Sequence, residues 1–345
     1  MAKREKRELY GKKKKKRIIW QKEKEKRKIE IIKMDLCKEK KFINLNGRVH
    51  INQKNNKVVS LADKDNDVWV VERKISEGSS GMVYLYLSSN PAKVDLVIKY
   101  FCVNEEYAEL DMELESEVVE LFNKHRCSNF IQAGVKQLKD KEKIIIMERV
   151  EGDMTEFDFS VFPQPLKIYS GLIDFLASGS RCAYKKDKLY MDMKSENIGF
   201  KICNTGVKFT FLDLGSFFNV NEDDIVTTYY INFEKFNNFF FSNRVMFVYS
   251  LVITLLTIRL DIKGHNFSEK FSYYVLEQIG NEKRYSAKKG LLSVSNYDRI
   301  MKRFKEYIPQ QEKFIDYLFS SLKKLTEREP NVDDFLIGLQ NSNRY

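Results

Sequence analysis

The sequence predicts an α+β protein of two unequal lobes, a small β-rich lobe with one main helix and a larger α-helical lobe, preceded by a basic arm. Three observations carry this. Between residues 43 and 150, short runs rich in β-branched and aromatic residues recur, interrupted by one long helical pattern. From about residue 160 onward, apolar residues fall at helical intervals instead. The chain has 345 residues, 43% of them hydrophobic and 13% aromatic, enough for a substantial core.

The arm comes first. Residues 1–41 hold 19 Lys/Arg and 7 Asp/Glu, a local +12, so with a total of +11 the rest of the chain sums to −1. Its centre is "KKKKKR" at 12–17, followed by Glu and Lys interleaved at helical spacing, so the expected arm (1–42) is partly helical or disordered. Such a segment is either a solvated tail or an electrostatic attachment to nucleic acid, another polyanion, anionic lipid or an acidic protein, or a nuclear-import address. Residues 43–67 form an extension in which "RVHINQKNNKVVSLA" reads as a hairpin turning near Asn55 and Asn56. The small lobe spans 68–150. It contains "VWVVERKI", "GMVYLYLS", "VDLVIKYF" and "KIIIMERV" as strands, with "EEYAELDMELESEVVELFNKH" as its helix. The large lobe spans 151–345, with helices expected over 164–178, 243–259, about 268–280, 297–307, 310–325 and 332–339.

Several classes are excluded. The five Cys, at 37, 102, 127, 182 and 203, are scattered and odd in number, which argues for free thiols in a reducing compartment rather than a disulfide framework or zinc site. Three His make a His-based metal site implausible. No secretory signal is expected from the polar N-terminus. The run "VMFVYSLVITLLTI", 245–258, is short for a membrane span and suits a buried core helix, so no transmembrane segment is expected. The expected location is intracellular, cytoplasmic or nuclear, in a host cell if the chain is viral or an effector.

Five stretches hold candidate chemistry. In "ISEGSSGMVY", Gly78 and Gly81 flank Ser79 and Ser80, whose backbone amides suit phosphate oxygens, although such a turn is often only a turn. Lys99 stands on an apolar strand, where an ammonium is either paired or at a wet edge. Glu113, Glu115, Glu117 and Glu120 on the helix are candidate partners, and Glu117 is chosen because it adjoins Val118 and Leu121. In "YMDMKSENIGF", Asp192, Lys194 and Asn197 read as three loop residues or as a base, a phosphate-contacting cation and a metal ligand. In "FTFLDLGSF", Asp213 ends an apolar strand beside Gly215, which suits a divalent cation or a turn.

In this order, the stretches resemble the eukaryotic-type protein kinase family over roughly residues 68–340. The resemblance implies a bilobal kinase-like fold that uses ATP and Mg²⁺. Gly78 and Gly81 match two of the three glycines over the ATP phosphates, with Ser76 where the first usually stands and Ser79 and Ser80 between. Val83 matches the residue covering adenine, Lys99 the lysine on the α- and β-phosphates, and Glu117 its helix partner. Met147 sits at the gatekeeper position, and Glu148 and Val150 would offer hinge backbone groups. Asp192 matches the catalytic base, Lys194 the lysine typical of Ser/Thr-type members, and Asn197 and Asp213 the two Mg²⁺ ligands. "TTYYINFE", 227–234, resembles the end of an activation segment, with Thr227 and Glu234 in matching places and Arg328 as the buried partner of Glu234.

There are departures. Tyr190 replaces a His and Phe233 a Pro. Met191 replaces the Arg that pairs with a phosphorylated activation loop, which implies activity independent of such phosphorylation. Phe247 replaces an Asp that caps the catalytic-loop backbone. The expected function is an ATP-dependent Ser/Thr protein kinase acting on a protein substrate. The alternatives are a catalytically weak scaffold of the same fold and a polyanion-binding protein acting through residues 1–41.

Overall fold

The structure, a computed structural model, describes residues 42–43, 45, 49–54, 57–78, 81–101, 108–125, 127, 129–138, 143–203, 206–221, 242–261, 302, 304–305, 312–325 and 328–343. All except Cys203 belong to one compact unit, Lys40–Ile202 with Gly206–Tyr345. Residues 1–41, the segment 227–234 and the helix expected at 268–280 lie outside the described residues, as does most of 297–307.

The fold is mixed α+β. Seven strands form one curled antiparallel sheet: β1 (His50–Lys54), β2 (Lys57–Ala62), β3 (Val68–Gly78), β4 (Gly81–Ser88), β5 (Leu96–Phe101), β6 (Ala133–Gln137) and β7 (Lys143–Glu148). Their spatial order is β1-β2-β3-β4-β5-β7-β6. The 43–67 hairpin is present as β1 and β2, with Lys54 opposite Lys57. Two tyrosines fasten its second strand to the sheet: the Val58 amide donates to Tyr100 Oη (3.0 Å) and Tyr86 Oη donates to the Val58 carbonyl (2.7 Å).

The central strands cover both faces. Leu96, Ile98, Ile144 and Ile146 enter a core with Trp69 and Tyr86. Their alternates Phe101, Ile145 and Met147 enter a second core shared with the helices. This is the period of two that a strand imposes. It puts Lys99 on the helix-covered face, and β5 lies between β4 and β7 rather than at an edge.

Among the described residues there are five helices: α1 (Ala108–His125), α2 (Pro165–Tyr184), α3 (Asn243–Asp261), α4 (Glu312–Lys324) and α5 (Val332–Ser342). Residues 246–259 of α3 are all buried, the mark of a helix apolar on every side and enclosed by protein. No helix of the described residues is long and apolar enough to cross a membrane. The expected helix 164–178 runs on to Tyr184 because Gly179 packs against Phe211 and Asn129 instead of ending it. Short strands β8 (Gly152–Asp153), β10 (Ile198–Cys203) and β11 (Gly206–Phe211) form one small sheet. A second pairs β9 (Lys188–Tyr190) with β12 (Phe217–Asn219). Arg328, expected to be buried, is exposed on the turn before α5. That turn ends at the Asn331 cap, whose side chain accepts from the amides of Asp333 and Asp334.

Candidate active site

A cleft of about 970 Å³ opens between the face of β3–β5, the end of β7 and the loops after β9 and β11. The first group in it is Lys99, 7% exposed and flanked by Val97 and Phe101 on the same face. Burial alone would push its ammonium down, but the carboxylates of Glu115 and Asp213 outweigh this and hold it above the usual lysine range. Lys99 Nζ lies 2.5 Å from Glu115 Oε2 and 3.3 Å from Asp213 Oδ1.

The helix partner is thus Glu115, not the expected Glu117, which is exposed. The reason is helical geometry. The core stripe of α1 is Val118, Val119 and Phe122, and Glu115 precedes these by three, four and seven residues, on the same face. Glu117 adjoins Val118 in sequence but lies about 200° around the helix from Glu115. Glu115 is 2% exposed, and burial pushes its carboxyl up. Gly215 packs against it: a Cβ there would come within 3.2 Å of Glu115 Oε2.

Across the cleft, β9 leads into a loop and a 3₁₀ turn at Ser195–Asn197. Asn197 Nδ2 donates to both the carbonyl and Oδ2 of Asp192 (each 2.9 Å), and Lys194 Nζ also pairs with Asp192 Oδ2. Asp213 ends the β11 segment, and Ser216 Oγ donates to its Oδ2 at 2.9 Å. Beneath these groups Tyr190 is fully buried. Burial first, and then the charges of Asp213, Asp192 and Glu115, raise its phenol well above the ordinary range.

No protein-family model and no curated protein matches this sequence. The site therefore rests on its own geometry. Ser76, Gly81 and Val83 line one wall of the cleft, and Met147, Glu148 and Val150 line its end. Lys99, Asp192, Lys194, Asn197 and Asp213 complete it. Gly78 pairs with Gly81 across the tip of the β3–β4 hairpin, and Ser79 and Ser80 lie outside the described residues. Gly81 has φ +157°, and a Cβ there would overlap the Tyr100 carbonyl oxygen, so this position requires glycine.

The apolar lining of the cleft, a slot, includes Val83, Val97, Met147 and Leu212. At its rim the Arg149 and Glu151 amides are bonded to Asp95 and Phe200, but the Val150 amide between them has no partner among the described residues. The Glu148 side chain turns away from the slot to pair with Lys201 and to accept from the Gln132 amide (3.2 Å). Glu115 was one of four candidates in the sequence reading but not the one chosen, and Ser216, Val97 and Leu212 escaped it. Glu115 was discoverable from its spacing to Val118, Val119 and Phe122. The other three depend on which strand ends meet.

Proposed function

We propose that the chain is an ATP-dependent protein kinase of two lobes, transferring the γ-phosphate of Mg·ATP to a Ser or Thr hydroxyl of a protein substrate. The observation that carries this reading is the meeting, in one cleft, of a buried Lys99–Glu115 pair within reach of Asp213 and a loop bearing Asp192, Lys194 and Asn197. Phosphoryl transfer asks mainly for positioning and charge neutralisation, and these groups supply both.

The adenine ring would suit the Val83–Val97–Met147–Leu212 slot, with the Val150 amide as its donor. Lys99, fixed by Glu115, neutralises the α- and β-phosphates, while amides near Gly81 approach the phosphate chain. Asp192 accepts the proton from the attacking hydroxyl. The new O–P bond forms as the bond to the bridging oxygen of ADP breaks, and Lys194 steadies the transferred group.

The donor set also fits Mg²⁺: one carboxylate, one amide oxygen and substrate phosphates are what this hard cation takes while keeping waters. Among the described residues no group of three or more His, Cys, Asp or Glu could hold a metal, and the proposed ion does not need one. Asn197 and Asp213 would hold it, and it would neutralise phosphate charge.

The test is transfer from Mg·ATP to a protein substrate, followed by mapping of the modified residues. Asp192→Asn should fold normally and lose about 10²–10⁴-fold in turnover. Undiminished turnover in that variant would remove Asp192 as base. The competing reading, a scaffold that binds nucleotide without transferring phosphate, finds its support in the burial of Phe247 and Met191, which offer the loop no polar side chain. It would show as ATP binding with no phosphorylated product.

A further inference from the structure

We infer that Thr254 is a positioning residue for the loop that carries Asp192 and Lys194, acting through the carbonyl of Met193; this inference rests on the kinase reading above. Met193 stands between the two functional residues, and its side chain is fully buried. Thr254 Oγ1 donates to its carbonyl oxygen at 2.8 Å across 61 positions of sequence. Thr254 is itself fully buried on α3, among Leu251, Val252, Ile253, Leu255 and Leu256.

A hydroxyl in such a helix ordinarily bonds back to a carbonyl one turn earlier. Ser250 does so, donating to Phe247 O at 3.1 Å, and Thr257 Oγ1 has no partner among the described residues. Thr254 instead spends its proton outside the helix. The neighbouring loop carbonyls are served from elsewhere. Asp192 O and Lys194 O accept from the Asn197 side chain and amide, and Ser195 O accepts from the Met154 amide. Thr254 thus ties α3, enclosed throughout residues 246–259, to the peptide between the proposed base and the phosphate-contacting lysine. Phe247, on the same helix, cannot make such a tie. Without the hydroxyl, Met193 O is a buried acceptor with no donor, and the peptide that aims Asp192 and Lys194 is free to rotate.

Thr254→Val keeps the shape and removes the donor; Thr254→Ser restores it. In the full chain with Mg·ATP, Thr254→Val should lower kcat about 10- to 100-fold, because small misplacements of reacting groups carry that cost. Its KM for ATP should stay within about threefold, since the nucleotide slot and the Lys99–Glu115 pair are untouched. Thr254→Ser should recover most of the lost rate. Amide hydrogen exchange over residues 188–198 should quicken in the Val variant and not in the Ser variant.

A Val variant with kcat within twofold of wild type would overturn the proposal, as would a Ser variant no better than Val. If the wild-type chain transfers no phosphate, the kinase reading fails. The tie is then judged by exchange alone, and unchanged exchange in Thr254→Val sinks it. Should Thr254→Val not fold, Thr254→Cys, whose thiol is a weak donor, takes its place with the same outcomes.

Discussion

Lys99 and Glu115 stabilise the molecule only as a pair. Each is buried, and a buried charge without its partner is costly. Asp213 at 3.3 Å gives Lys99 a second carboxylate, which softens the loss of Glu115 without replacing it. We expect Glu115→Leu to lower unfolding stability by about 3 kcal/mol and to abolish ATP binding. Glu117→Leu, at an exposed position two residues away, should stay within about 0.5 kcal/mol of wild type and keep full activity. Paired denaturant titrations and ATP-binding curves decide this, and the reverse ranking would mean that α1 is rotated from the described register.

The connection from β2 to β3 is held by a compact polar knot rather than by apolar contact. Asp63, 3% exposed, accepts from the amides of Asp65 (2.9 Å) and Asp67 (3.0 Å), and Lys93 Nζ lies 3.1 Å from Asp63 Oδ2 and 3.2 Å from Asp67 Oδ2. Burial opposes ionisation of Asp63, but Lys93 and the two amides outweigh it, and its carboxyl is held below the usual value. A carboxyl with a depressed folded pKa stabilises the fold above its unfolded pKa, near 3.8, and loses that contribution as pH falls through the folded value. Asp63→Asn should therefore lower stability by about 2 kcal/mol at pH 7, and the gap to wild type should be smaller at about pH 3, below the unfolded pKa, than at pH 7. Urea midpoints at the two pH values measure it. A gap just as large at low pH would show that the ionised carboxylate is not what holds the knot.

At the scale of the whole chain, charge and proposed chemistry are separated. The +12 lies within residues 1–41, the remainder sums to −1, and every candidate site residue is at or beyond Ser76. Deleting residues 1–41 should leave phosphotransfer to a small peptide intact and abolish retention on heparin or nucleic acid. Retention by the full chain should weaken steeply with salt, because releasing counterions into a more concentrated solution gains less free energy. Assays of the full and the truncated chain at low and moderate salt test the separation. A truncated protein that is folded but inactive would make the arm part of the catalytic structure.

By itself, the sequence determined the elements whose signals are local. The β1–β2 hairpin, the long strands β3, β4, β5 and β7, α1 and the enclosed α3 all follow from period and composition within one window. The loop residues Asp192, Lys194 and Asn197 and the strand-end Asp213 were legible for the same reason, since each motif is contiguous. Strand β6, "AGVKQ", was not legible: it holds a Gly and two polar residues, and only its pairing with Lys143–Met147 makes it a strand. The partner of Lys99 was misjudged because adjacency in sequence is not adjacency on a helix. The tie from Thr254 to Met193 and the Val97–Leu212 slot join residues far apart in the chain. The tertiary structure alone decided these, because a hydrogen bond or a packed contact depends on distance in space, which local sequence does not encode.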